Sequence, residues 1–224
     1  PAAVPVSTSG VTDESGTEVP ADATGVITIS AAGTYSVSLT CAAPIVVTAA
    51  AKSVTLNLTG VTIAAPAGSS AIELQSGVTA NIAVSGACSL TGGQGGCGIA
   101  VPEGATLNLS GSGSPTATGN GGTDTDTIGG SGIGGTAKAG TNGNILIDGT
   151  NGLTVAAYGY GKEASGIGSC VKYGLQYPIT IQNVKNLTAQ GGYYNADVLK
   201  EDGVEGGPGI GGGGKCTFAA DSKD

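Results

Sequence analysis

The sequence predicts an all-β chain: a single-stranded parallel β-helix with about three short strands in each roughly 25–34-residue coil. Three observations carry this expectation. Ser131-Gly132-Ile133-Gly134-Gly135 returns almost unchanged at 165–169 and again at 208–212, and such an echo marks one structural unit stacked on copies of itself. Ile133 to Ile167, Ile145 to Ile179 and Leu153 to Leu187 all advance by the same offset of 34, so three separate markers move together. Finally, 43 glycines, one Phe and no Trp in 224 residues leave too little bulk for a thick globular core.

The elements follow in order along each coil. The first piece reads Thr55-Leu56-Asn57-Leu58, Ala80-Asn81-Ile82-Ala83-Val84, Thr106-Leu107-Asn108-Leu109, Asn144-Ile145-Leu146-Ile147 and Pro178-Ile179-Thr180-Ile181. Apolar residues alternate there with small or polar ones, which turns one face inward. Leu56, Ile82 and Leu107 recur at offsets of 26 and then 25, and Ile72 to Ile99 is an offset of 27. The second piece is Val61-Thr62-Ile63, Cys88-Ser89-Leu90, Thr116-Ala117-Thr118, Leu153-Thr154-Val155 and Leu187-Thr188-Ala189. The third is the isoleucine at 72, 99, 133, 167 and 210, glycine-bracketed at the last three. A strand of three or four residues cannot bury its apolar face alone, but coils stacked ~4.8 Å apart pair each backbone group with the next coil.

The ends of such a stack expose hydrogen-bonding edges, which must be covered or would support self-association. Residues 23–50 carry longer strands, Val26-Ile27-Thr28-Ile29, Tyr35 to Leu39 and Ile45-Val46-Val47, and are expected to form the N-terminal cap and first coil. Residues 1–22 lack this periodicity and read as an extended arm or linker, whereas 221–224 form a tail. The β-helix is therefore expected over 23–220. By alternation, Cys216-Thr217-Phe218 matches the first strand of a further coil.

Charge and composition exclude several functions. The net charge is −8 and the eight basic residues are all lysines, scattered singly, so no nucleic-acid partner is expected. His and Arg are both absent, which removes the usual proton shuttle and the two-point clamp for phosphate or carboxylate. No apolar run is long enough for a membrane span, and no Gly-Lys-Ser/Thr sequence closes a glycine loop for phosphate. The chain has no Met, and Pro1 fits signal cleavage, excision or loss of an initiator Met equally. Five cysteines, at 41, 88, 97, 170 and 216, have neither zinc-ligand spacing nor a histidine to complete a site. Cys97 occupies the slot held by Ser70, Ser131 and Ser165, so a small packed side chain is expected there. A disulfide such as Cys88 with Cys97 stays open, but the odd count leaves one thiol free.

At this point a resemblance enters. Gly25-Val26-Ile27-Thr28-Ile29 through Gly33-Thr34-Tyr35, Pro44 to Val47, Val54 to Ile63, Ser70-Ala71-Ile72 and Val101 to Leu107 resemble the glycine-rich repeat proteins of gut anaerobes labelled carbohydrate-binding domain-containing proteins. That resemblance covers residues 22–215 and implies a β-helical module displayed on a surface, with carbohydrate as the ligand by analogy.

Candidate sites lie where coils lengthen. Tyr158, Tyr160, Tyr193 and Tyr194 are the binding candidates, because six of seven tyrosines fall between 158 and 194 and the 34-residue offset sets Tyr160 over Tyr194. Exposed rings with hydroxyl rims suit sugar stacking or protein contact. Tyr173 and Tyr177 are placed at a different corner. Asp124 and Asp126 alternate in Thr123-Asp124-Thr125-Asp126-Thr127, which sets both carboxylates on one side of an extended segment and makes Ca2+ the one cofactor candidate. Asp197, Glu201, Asp202 and Glu205 mark a second protruding loop in the 43-residue step from Ile167 to Ile210.

Parallel β-helices that cleave pectin use clustered Asp with an Arg or Lys base, or paired Asp. Arg is absent here and no specific carboxylate pair emerges, so the chain reads as non-enzymatic, with a polysaccharide lyase or hydrolase ranked third. Thr-x-Thr motifs such as Thr116-Ala117-Thr118 suggest ordering of ice, but they do not recur in register in successive coils. The leading expectation is an extracellular or cell-surface adhesion module that binds a glycan or host surface. The alternative is a virion or appendage component, a capsid decoration or fibre protein, held to other virion proteins by its N-terminal arm.

Overall fold

A computed structural model describes residues 9–121, 129–138, 140–161, 163–170, 177–192 and 207–211. The described chain is all-β, with a single 3-10 turn at Ala49–Ala51 and no α-helix. None of its helical structure is long and apolar enough to cross a membrane.

Three sheets account for the strands. The first runs Val11–Asp13, Gly33–Val37, Ser53–Thr59, Thr79–Ser85, Thr106–Gly111, Asn144–Asp148, Ile179–Gln182. The second runs Thr40–Cys41, Thr62–Ala64, Ala87–Thr91, Ser114–Thr118, Thr154–Tyr158, Asn186–Gln190. The third runs Ile27–Ile29, Ile45–Val47, Ile72–Leu74, Ile99–Ala100, Ile133–Gly134, Ile167–Gly168. From Ile27 onward the chain visits third, first and second sheet in that order on every pass, and each strand pairs in parallel with its counterpart one pass away.

Side chains explain why such short strands persist. Ile27, Ile45, Ile72, Ile99, Ile133 and Ile167 pair one with the next and are all fully buried, and Ile167 also bridges Ile210. In the first sheet Leu56, Ile82, Leu109, Ile147 and Ile181 form a second inward column, and in the second sheet Ile63, Leu90, Ala117, Ala157 and Ala189 form a third. Each large aliphatic buried in this way contributes roughly 2 kcal/mol against exposure.

The glycine before Ile99, Ile133 and Ile167 serves close approach. A Cβ on Gly98 would stand 2.6 Å from the Thr118 amide nitrogen, on Gly132 2.6 Å from that of Tyr158, and on Gly166 2.5 Å from the Gly209 oxygen. The glycine after the isoleucine has a different task. Gly134 and Gly168 take φ of +140° and +133°, a region that favours glycine.

Register departs from the spacing read in sequence at two places. Leu107 pairs with Ala80, and Leu109 with Ile82, so that step is an offset of 27 instead of 25. A two-residue slip leaves every side chain on its expected face, so alternation alone does not reveal it. In the second sheet Val155 pairs with Leu187 and Tyr158 with Gln190, an offset of 32 instead of 34. The cause is a shorter corner: five residues, 149–153, separate Asp148 from Thr154, but three, 183–185, separate Gln182 from Asn186. Steps also range more widely than 25–34, from 18 between Ile27 and Ile45, through 40 between Thr116 and Ala156, to 43 between Ile167 and Ile210.

At the N-terminal end, Val11–Asp13 pairs antiparallel with Gly33–Val37, and bridges join Thr12 to Glu18 and Ala21 to Ile27. Val11 is fully buried, so part of the segment expected as an arm covers the edge of the first sheet. Tyr35 lies beneath it, 6% exposed, and its hydroxyl donates to the Ala31 carbonyl at 2.9 Å.

Candidate functional site: the neutral face of the second sheet

Alternation in the second sheet sends Ile63, Leu90, Ala117, Val155 and Ala157 inward and leaves the intervening residues outside. Parallel register then sorts these outward residues into columns. Thr40, Thr62, Ser89, Thr116, Ala156 and Thr188 form one, and Ala64, Thr91, Thr118, Tyr158 and Gln190 form another. Ala87 with Ser114, and Thr154 with Asn186, extend a third. None of these outward residues is charged. Six strands at ~4.8 Å give a face on the order of 24 Å along the stack, with outward side chains every ~6.8 Å along each strand.

Spacing in the sequence does not show this face. Thr-x-Thr motifs do not recur in register in successive passes, but the step of 27 brings Thr62, Ser89 and Thr116 into one line of hydroxyls. The signal is present in the residue types, and the corner lengths conceal it.

Of the tyrosines, Tyr158 lies half-buried in its column between Thr118 and Gln190. Tyr160, two residues on, is 53% exposed and bridges Gly130. Its backbone is approached closely by glycines: a Cβ on Gly129 would fall 1.8 Å from the Tyr160 oxygen, and one on Gly121 2.7 Å from it. The paired strands here run at an offset of 32, not the 34 that set Tyr160 over Tyr194. Tyr193 and Tyr194 themselves lie outside the described residues, as do Tyr173, Cys216 and Phe218. Tyr177 donates its hydroxyl to Glu103 at 2.5 Å, and that bond raises its pKa above the ordinary tyrosine value.

The neighbouring faces carry less adaptable groups. On the first sheet Asn108 donates to Asn81 at 2.8 Å, so these outward amides satisfy each other. At the corner between the first and second sheets a hollow of about 310 Å³ is lined by Asn57, Ala83, Ser85, Ser112 and Asn151. Asp148 stands at the same corner, three residues before Asn151. It accepts from the Thr150 hydroxyl at 2.6 Å, the Gln182 amide at 2.9 Å, the Thr150 backbone N–H at 2.9 Å and Asn183 at 3.4 Å. The Thr150 hydroxyl first, then Gln182 and the other donors, hold its carboxyl at about 2. A carboxylate so fully engaged is a corner brace and is poorly placed to move a proton near neutral pH.

Asp124 and Asp126 lie outside the described residues, and so do Asp197, Glu201, Asp202 and Glu205. Among the described residues no group of three or more His, Cys, Asp or Glu converges. The four described cysteines, Cys41, Cys88, Cys97 and Cys170, are free thiols, so Cys88 and Cys97 are not joined.

Inside the stack, the expected small-residue slot is buried and polar. Ser70 is 1% exposed, and Cys97, Ser131 and Ser165 are fully buried. Ser70 Oγ accepts from the Cys97 amide at 3.0 Å, and the Ser131 and Ser165 hydroxyls meet at 2.9 Å. Burial pushes the Cys97 thiol well above its ordinary range.

No protein-family model, curated protein or solved structure matches this chain.

Proposed function

We propose that the three sheets wind as a single-stranded parallel β-helix and that the molecule is a non-enzymatic, surface-displayed module. It binds neutral glycans on the outer face of the second sheet. The observation that carries this reading is the register that lines Thr and Ser hydroxyls into columns, with Tyr158 in one of them and Tyr160 beyond its strand. A hydroxyl both donates and accepts, so a column of them matches the alternating donors and acceptors of sugar hydroxyls. A tyrosine ring adds an apolar platform for a sugar face.

Charge narrows the ligand class. The face is neutral and the chain carries −8, so uronic or sulfated glycans would be repelled and receive no cationic partner. The test is a glycan array spanning neutral, uronic and sulfated chains, probed with wild type and with Tyr158→Ala and Tyr160→Ala. Neutral chains are expected to dominate, and each substitution to weaken binding about three- to tenfold. Preference for acidic chains, or unchanged signals from both variants, would overturn the proposal.

A further inference from the structure

The hollow at the corner between the first and second sheets has a cause in the backbone. Gly111 takes φ of +119°, and a Cβ there would stand 2.2 Å from the Val84 oxygen, while one on Gly113 would stand 2.4 Å from the Gly86 oxygen. The Ser112 and Gly113 N–H groups both donate to the Val84 carbonyl, at 3.1 and 3.0 Å. The corner at 111–113 is thus drawn in against the pass before it, and two glycines with one short serine put no bulk there. The corner of the next pass runs over five residues, 149–153, and brings Asn151 to the hollow. Asn57, Ser85, Ser112 and Asn151 therefore line it from four successive passes, around the half-buried Ala83 and the buried Val84.

The polar side chains that line it are uncommitted. Asn81 and Asn108 satisfy each other because register sets them side by side, but Asn57 lies level with Ser36 and Ala83. Among the described residues the side chains of Asn57, Ser112 and Asn151 make no hydrogen bond, whereas Ser85 is held by Thr59 at 2.9 Å. An amide offers two donors and an acceptor, and a hydroxyl offers both, so these groups around an aliphatic floor suit a ring that carries hydroxyls at its edge. No charged or aromatic side chain lines the hollow, which leaves an ionic group without a partner and a flat base with nothing to stack on. Its 310 Å³ stands at the lower end of the ~300–1,000 Å³ of small-ligand sites, room for one small ring and not for a chain.

The hollow borders the second-sheet face. Strands Ala87–Thr91 and Ser114–Thr118 begin two residues beyond Ser85 and Ser112, so a ligand spread on that face reaches the hollow at its edge. We propose that the hollow is a subsite for a single uncharged pyranose ring, the terminal residue or a branch of a glycan whose remainder lies along the second sheet. The glycan's course rests on the second-sheet reading above, but the ring subsite is testable without it. Asn57 and Asn151 belong to passes three steps apart, ~14 Å between backbones, a gap that their two amides and one ring with its hydroxyls span. Ala83 meets the C–H face of the ring.

The probes are methyl β-glucoside, methyl β-galactoside and methyl α-mannoside, with methyl β-glucuronide as the charged counterpart, titrated into the isotope-labelled full chain and followed by NMR amide shifts. At least one neutral glycoside is expected to shift amides within 83–85, 111–113 and 150–152, with Kd on the order of 1–10 mM, and the glucuronide to shift none. Asn57→Ala and Asn151→Ala should each weaken that glycoside about three- to tenfold. Ala83→Leu, which fills the floor, should abolish the shifts, and Tyr158→Ala should leave them unchanged. None of Asn57, Ala83 and Asn151 is buried, and Tm reports that each variant folds. No shift at these amides with any neutral glycoside at roughly 50 mM, or equal affinity in wild type, Asn57→Ala and Asn151→Ala, would overturn the subsite. Shifts at the hollow with no binding on the glycan array would overturn the second-sheet reading and leave the subsite, whereas array binding that Tyr158→Ala weakens, with a silent hollow, would overturn the subsite alone.

Discussion

Gly132→Ala tests the claim that these glycines are required by crowding and not by flexibility. A Cβ there would stand 2.6 Å from the Tyr158 nitrogen, 2.7 Å from the Gly166 oxygen and 2.8 Å from the Ala117 oxygen. Ordinary contact needs roughly 3.5 Å, so backbone on several sides must withdraw by about 0.8 Å. None of the three atoms is the end of a flexible side chain. The shift also strains the bonds from Gly132 N–H to Ser165 O at 3.1 Å and from Ile133 N–H to Gly166 O at 3.0 Å. Overpacking of this kind costs about 3 kcal/mol, which lowers the Tm of a chain this size by roughly 6–12 °C. Gly60→Ala is the control: its φ is +60° but nothing lies within 4 Å of the added Cβ. Left-handed strain alone costs about 1 kcal/mol there, or roughly 2–4 °C. Thermal unfolding by circular dichroism reads both. A Gly132→Ala Tm within 2 °C of wild type, or equal losses in the two variants, would refute the crowding argument.

Further expectations concern the core, the corner and the outer face. Ile99→Ala removes a fully buried residue flanked by Ile72 and Ile133 and should cost about 4 kcal/mol in urea unfolding, against about 1 for Ile99→Val. Thr116→Ala on the outer face should stay within about 0.5 kcal/mol of wild type. Asp148 is held at about 2, below its ordinary 3.8, so its contribution is present above the ordinary value and is lost as pH falls from about 4 toward 2. Asp148→Asn should therefore flatten the pH dependence of Tm in that window and leave the profile above pH 5 parallel to wild type.

What the sequence makes legible is whatever stacking forces to repeat. The isoleucine ladder is readable at 72, 99, 133, 167 and 210, because each must fill the same inward position. The structure extends it to Ile27 and Ile45, whose steps of 18 and 27 differ because the corners differ in length. Corner length is set by turns such as 149–153 and 183–185, which lie between the paired strands and are free to differ in length from pass to pass. For that reason the two-residue change at Leu187 is hidden from the sequence, and with it the alignment of Tyr158 with Gln190. The buried role of Cys97 is readable from its serine sisters, but its sharing of the Gly135 carbonyl with Cys170 is not, since the two are distant in sequence and join through a third pass. The neutral face is hidden for the same reason: Thr116 aligns with Ser89 only once the 27-residue step is known.

Placing one charge on each of two faces tests the central claim most directly. Thr116→Lys introduces an ammonium in the middle of the second sheet's hydroxyl column, and Asn81→Lys introduces the same charge on the outer face of the first sheet. Both side chains reach solvent, so both variants should fold with Tm close to wild type. Binding of each to the best neutral glycan from the array is then measured by calorimetry. At least a tenfold loss for Thr116→Lys with little change for Asn81→Lys is the expected result. Equal affinity of Thr116→Lys and wild type, or a selective loss in Asn81→Lys, would contradict a binding face on the second sheet.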